Sequence, residues 1–273
     1  MTEKEYNAAP GVRRSDLWYI KESPEKFKYH IENPVEQTPA LAFGSMVHKL
    51  LLEPKTFADE FSVAPQVDRR TKAGKEEWAA FCERSEGKTV VTLEDYDTAI
   101  AMVGKAMADP TVMRLLVGEH EVPYTWTDKD TGIQCKIRCD CVTQLDTLAM
   151  PVIVDYKTAN NASTQAFTRD AVKYGYFFQA AMYAEGVKQA TGSELMPLFA
   201  FIVQEKKPPY AINVCTVSGE DMAKGMDIFR ELIGIYRECL KSGDWYGYLG
   251  PLHKPNELKM PPWAELKEAE ADE

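Results

Sequence analysis

The sequence lacks most of the features that would place it quickly. Its opening, MTEKEYNAAPGVRRSD, contains no apolar core of the kind a signal peptide carries. The most apolar stretches, Leu41–Leu52 and Leu195–Val203, are interrupted or far too short to span a membrane. The expectation is therefore a cytoplasmic chain with no membrane segment. No internal repeat is visible, and no composition shift marks an internal linker. There is no basic excess: 32 Lys and Arg stand against 42 Asp and Glu, a formal charge of −10. That balance excludes a protein that coats nucleic acid by bulk charge, although it leaves local recognition open. Nor is there a C-x2-C pair. The six cysteines, at 82, 135, 139, 141, 215 and 239, include a C-x3-C-x-C run that lacks the knuckle of a zinc site. Cys135, Cys139 and Cys141 fall at alternate positions of a strand-like segment, so they are expected to pack as small hydrophobes on its apolar face.

What is present is ordinary globular material. The 273 residues are 45% hydrophobic and 27% charged, enough to bury a sizeable core. The first half reads as helical. Ser15 opens a short helix to Ile20. Ser23 and Pro24 supply a cap and a first-turn proline for a helix to Glu32. An apolar helix follows over Ala40–Leu52. Residues 62–75 read as a polar loop carrying Arg69, Arg70, Lys72 and Lys75, and Thr92 with Asp95 caps a helix to Ala108. The middle then alternates. Glu121–Thr127 and Ile133–Thr143 read as strands joined by the turn Asp128-Lys129-Asp130-Thr131-Gly132, with further strands at Val152–Thr158, Leu198–Gln204 and Tyr210–Val217. One long helix is expected over 163–191, closed by Gly192, and another from Ser218 to Lys241. The order fits one α/β domain over 1–260, with a mainly helical layer (1–118) and a sheet-containing core (119–242). Residues 261–273 read as an acidic tail, which accounts for part of the net charge.

Strand alternation supplies the chemistry. In Val152–Lys157, Asp155 and Lys157 share one face while Val152, Val154 and Tyr156 take the other. In the preceding strand Lys136, Arg138 and Asp140 share the face opposite the cysteines. Neighbouring strands would bring Asp140, Asp155 and Lys157 together: two hard carboxylates for Mg²⁺, and a lysine to hold water and offset developing charge. Lys136 and Arg138 could then reach phosphates. Glu121, on the first strand, reads equally as a further acidic group near the metal or as a surface charge.

Asp140, fourteen intervening residues, and Asp155-Tyr156-Lys157 resemble the D…(D/E)-x-K core of the PD-(D/E)xK nucleases. Three further segments extend the likeness. The helix Phe43–Pro54 with His48 resembles the histidine-bearing helix of the RecB-like branch. Gln179 and Tyr183 match its Q-x3-Y helix. Ser15-Asp16-Leu17 followed by Ser23-Pro24-Glu25-Lys26-Phe27 resembles the phage-type exonuclease VIII (RecE) C-terminal nuclease. Two positions depart from the pattern: Cys139 stands where the motif has proline, and Arg13-Arg14-Ser15 where two serines are common.

The resemblance implies a restriction-endonuclease-like fold, a central mixed sheet flanked by helices with an N-terminal helical layer. It implies His48, Asp140 and Asp155 as metal ligands with the Tyr156 carbonyl as a fourth, Lys157 as catalytic lysine, and Gln179 and Tyr183 lining the cleft. Ser15 and Arg14 would contact a terminal phosphate. It further implies two Mg²⁺ ions, with Mn²⁺ as substitute, and 5′→3′ exonuclease action on double-stranded DNA ends. A homo-oligomeric ring and a RecT-like single-strand annealing partner belong to the same implication. Two alternatives stand beside it: a CRISPR-associated nuclease with an iron–sulfur cluster, and an inactive DNA-binding module on the same fold. The first needs a closely spaced C-terminal cysteine set that Cys215 and Cys239 do not form. The second would have lost an acid or the lysine.

Overall fold

The computed structural model describes residues 3–34 and 38–261; the expected acidic tail lies outside them, apart from Pro261. Its N-terminal part is helical: α1 (Glu3–Ala8), α2 (Arg14–Ile20), α3 (Pro24–Glu32), α4 (Pro39–Leu52) and α5 (Phe57–Glu60). Then come β1 (Phe61–Val63), α6 (Lys72–Arg84), β2 (Thr89–Val91), α7 (Leu93–Met107) and α8 (Pro110–Leu115). The caps do what their chemistry predicts. Ser23 accepts from the Lys26 amide and Thr92 from that of Asp95, each satisfying an orphan donor of a first turn. The basic loop is shorter than expected, because Thr71 caps α6 and carries Lys72 and Lys75 onto its first turn.

The core is one five-stranded sheet made from β3 (Glu119–Thr127), β4 (Gln134–Thr143), β5 (Val152–Ala159), β6 (Leu198–Glu205) and β7 (Ile212–Thr216), in that spatial order. Within this sheet β5 and β6 are the parallel pair, and the crossover between them is helical. Two helices form it, α9 (Thr164–Tyr174) and α10 (Tyr176–Thr191), where the sequence suggested one. Gly175 causes the break. Its φ of +71° is left-handed, and a Cβ there would stand 2.6 Å from the Trp18 ring. After β7 runs α11 (Gly219–Ser242), capped by Ser218. One sheet face packs Ile137, Ile153 and Phe201 against Leu17, Phe178 and Phe229 of α2, α10 and α11. The other packs Val152, Val154, Tyr156 and Ile202 against Met46, Val47, Met102 and Val112 of α4, α7 and α8. Each large side chain so buried contributes roughly 1.5–3 kcal/mol before entropy is counted.

Two irregularities prepare the site. First, β4 and β5 form a fork. Their ladder covers only Cys141↔Val154 to Thr143↔Val152, while β5 stays paired with β6 as far as Ala159. The edge that β5 leaves on β4 is taken by the N-terminal segment: Val12 bridges Cys135 in parallel, its amide bonding the Gln134 carbonyl at 2.9 Å. Second, alternation slips along β4. Cys135 and Cys139 lie in the first core, as expected, but Cys141 lies in the second and donates to the Leu115 carbonyl. The three thiols therefore do not share a face. The slip falls at Asp140, opposite Glu121, whose φ of +53° is a left-handed conformation costly for a side chain of this kind.

Candidate metal centre

At the fork the backbone of one strand binds a side chain of the other. Asp140 Oδ2 accepts the Tyr156 amide at 2.8 Å, replacing the ladder bond that the splayed strands no longer make. His48 reaches this point from α4. Met46, Val47 and Leu50 bury the apolar side of that helix and leave His48 on its flank, 24% exposed. Its Nε2 lies 2.8 Å from Asp140 Oδ2 and its Nδ1 3.1 Å from Glu121 Oε1. Glu121 is held in turn by Arg138, whose Nε is 2.5 Å from Oε2. His48, Glu121 and Asp140 can each offer one ligand atom with all three within 4.8 Å of one another, the arrangement a divalent ion needs.

Electrostatics tie these groups together. Burial disfavours a charged His48, but Asp140 and Glu121 outweigh it and push the imidazole up to about 10. Burial raises the Asp140 carboxyl, yet His48 and Lys157 hold it below the usual range. Asp155 goes the other way: burial first, then the charge of Asp140, push its carboxyl up to about 6. Lys157 is raised, because Asp155 and Asp140 overcome its desolvation.

Asp155 and Lys157 lie on the β5 face turned toward α10, as alternation requires. Lys157 Nζ is 2.6 Å from Asp155 Oδ2, and Gln179 of α10 donates to Oδ1. The buried Oδ2 is held by that ammonium. Asp155 thus stands beside the three-residue cluster rather than in it, while Glu121 is in it. The cluster gathered by geometry shares His48 and Asp140 with the expected ligands and adds Glu121, with Asp155 alongside. The hairpin turn held the signal for Glu121: once Asp128 and Ile133 close it, the register places residue 121 opposite residue 140.

The other expected residues divide. Tyr183 packs edge-on against Phe199, its phenol pushed far up by burial and by nearby Asp155. Arg14 and Ser15, at the start of α2, line the same cavity as His48, Lys157 and Gln179, a space of about 1150 Å³. Arg14 is among the Trp18, Tyr176 and Phe178 rings and donates to the Tyr174 carbonyl; Ser15 is exposed. Lys157 Nζ lies 5.0 Å from the centre of the Tyr176 ring, so the lysine side of the cavity is walled by aromatics. Arg138 opens onto the cavity too. Lys136 does not. It is 5% exposed, and its ammonium bonds three carbonyls, of Tyr6, Asn7 and Ala9, at 2.9, 3.1 and 2.6 Å. A phosphate contact is ruled out for it by that burial. Strand alternation alone could not reveal this, since an alternating lysine looks the same whether it meets solvent or a helix end.

Residues 14–251 match the family described as a PDDEXK-like domain of unknown function (DUF3799). The chain belongs to this family. The PDDEXK-like match takes in every residue of the cluster as well as Asp155, Lys157 and Gln179, and begins after α1. In fold the chain is similar to a crystal structure described as "Putative exonuclease" from Eubacterium rectale. The TM-score is 0.61 at 16% identity, covering 96% of this chain and 95% of that one. A second structure, SSO0001, is matched over 70% of this chain and 85% of that one, at 11% identity and a TM-score of 0.31. No curated protein matches. The expected architecture, a mixed sheet flanked by helices with further helices at the N-terminus, is the one observed. Among the described residues no helix is long and apolar enough to cross a membrane.

Proposed function

We propose that this PDDEXK-like chain is a metal-dependent exodeoxyribonuclease that degrades linear double-stranded DNA from its ends, 5′→3′, leaving 3′ single-stranded overhangs. One observation carries the reading: at the β4–β5 fork, His48, Glu121 and Asp140 converge beside an Asp155–Lys157 pair at the wall of a large cavity. A purely structural ion-pair network would have no need of a left-handed Glu121. The donors, carboxylate oxygens with one imidazole nitrogen, suit Mg²⁺ and suit Mn²⁺ at least as well. Such an ion supplies Lewis acidity toward a phosphoryl oxygen and makes a bound water acidic enough to attack near neutral pH.

The chain's own residues do the rest. His48, Glu121 and Asp140 would hold the ion, and Asp155, freed from Lys157, would complete a site for a second. Lys157 would then orient the attacking water and donate to a non-bridging phosphate oxygen as its charge grows. A P–O bond forms to water, and the P–O3′ bond breaks. The water's proton passes to solvent, and the departing O3′ is protonated, leaving a 5′-phosphate on the remaining strand. Gln179 keeps Asp155 oriented, with Tyr183 packed behind it. Ser15 and Arg14 are the candidates for the terminal phosphate, and Arg138 for a backbone contact. A homo-oligomeric ring and a RecT-like single-strand annealing partner complete the proposal, on the resemblance alone.

An iron–sulfur nuclease is the weaker reading. Cys135 and Cys139 lie in one core and Cys141 in the other, and these three and Cys239 are buried. The test is a duplex labelled at one 5′ or one 3′ end, set beside the same DNA as a closed circle. Early release of the 5′ label with the circle intact supports the proposal. Cutting of the circle, or release from the 3′ end first, overturns its end-dependence or its polarity.

A further inference from the structure

Helix α1 precedes the segment that matches the family, yet it is fastened into the fold beside the metal centre. The fastener is Lys136. Its ammonium occupies the carbonyl-rich C-terminal end of α1, where a cation meets unsatisfied acceptors and the negative end of the helix dipole. The next residues continue the attachment through the Val12–Cys135 bridge. There Gly11 is required, with φ +127° and a would-be Cβ only 3.0 Å from the Cys135 carbonyl carbon. This sequence therefore spends a buried lysine and a constrained glycine on holding a six-residue helix in place.

That helix delivers Tyr6. Its side chain is 8% exposed, and its ring lies 5.8 Å from the Arg138 guanidinium carbon and 5.1 Å from the Lys136 ammonium. Arg138 binds one oxygen of Glu121, and the other faces His48. A carboxylate ligand is aimed by whatever holds its second oxygen, and a guanidinium is confined by an aromatic face against it. The chain of contact runs from α1 to the ligand cluster in three side chains.

We propose that Tyr6 is a positioning residue of the metal centre: anchored through Lys136, its ring confines Arg138 so that Glu121 presents a single oxygen to the ion. The proposal rests on the reading of His48, Glu121 and Asp140 as metal ligands. It assigns to α1 a part in metal affinity.

The test is calorimetric titration of the full-length protein with Mn²⁺ alone, together with the Mn²⁺ electron paramagnetic resonance signal. Tyr6→Phe keeps the ring and should bind within about twofold of wild type. Tyr6→Leu keeps apolar bulk without a π face and should bind about three- to tenfold more weakly, with a broadened signal. Equal affinity for Tyr6→Leu and wild type overturns the proposal. Should Tyr6→Leu lose cooperative unfolding, Arg138→Lys takes its place, because it leaves α1 untouched but gives up the forked hold on Glu121. The same weakening is expected, and unchanged affinity is again fatal. Wild type that binds Mn²⁺ but leaves duplex DNA intact removes the nuclease reading and leaves this one to the titrations. Wild type that binds no Mn²⁺ overturns both.

Discussion

His48 stands between two carboxylates, Nε2 2.8 Å from Asp140 and Nδ1 3.1 Å from Glu121. With both ring nitrogens so occupied, the imidazole is held as a cation in the place where an ion would sit. A metal ligand must offer a bare nitrogen, so binding should expel a proton. Below the folded value of about 10, apparent Mn²⁺ affinity should rise with pH, approaching tenfold per unit. Titration in buffers of different ionisation enthalpy should count close to one proton released at pH 7. In the metal-free protein the sign reverses for stability. The His48 pairing contributes fully below about 6.5, the unfolded value, and is lost as pH rises through about 10. Affinity that is flat with pH would remove His48 from the ligands.

Glu121 is the candidate ligand added by geometry, and it sits in a strained backbone. Glu121→Gln keeps the shape but removes the charge, and it leaves Arg138 without the carboxylate it faces at 2.5 Å. Mn²⁺ affinity should fall about 10- to 100-fold, the scale seen when a ligand or its support is lost. A variant that binds as well as wild type would return Glu121 to a structural role.

Gln179 and Asp155 form a buried pair, and Gln179→Leu would leave Oδ1 without its donor. The cost should be about 1–3 kcal/mol in stability. With burial already pushing Asp155 up to about 6, loss of the hydrogen bond to its ionised form should raise it further. The acid limb of the rate–pH profile should therefore move to higher pH, and an unmoved limb would dissociate Asp155 from the rate.

Gly175 joins α9 to α10 at φ +71° against the Trp18 ring. Gly175→Ala should cost more than about 1 kcal/mol, because it adds left-handed strain to a clash with a ring that lines the cavity. Thermal unfolding of the variant measures this directly, and an unchanged midpoint would contradict the steric account.

Much of this was legible in the sequence because it is local. Ser23 and Pro24 start a helix by capping and fixed φ, and Asp155 and Lys157 share a face because β-strands alternate. What was hidden depends on distant partners. Gly175 reads as one weak residue within a helix until Trp18 is beside it. Cys141 breaks the alternation that Cys135 and Cys139 keep, because the strand slips where β4 leaves β5. Lys136 looked like a phosphate contact, and only the end of α1 explains its burial. Glu121 lay between: the hairpin register points to it, but only His48, from another helix, completes a cluster that could hold an ion.

The central claim is that the Asp155–Lys157 pair and the His48 cluster together hydrolyse phosphodiester bonds in DNA. The most direct measurement is release of acid-soluble nucleotides from linear duplex in Mg²⁺, with Lys157→Met and Asp155→Asn beside wild type and with EDTA as control. The account predicts release by wild type, its abolition by EDTA, and a loss of at least about 100-fold in each variant. Folded wild type that releases nothing in Mg²⁺ or Mn²⁺, or variants that match it, would contradict the account.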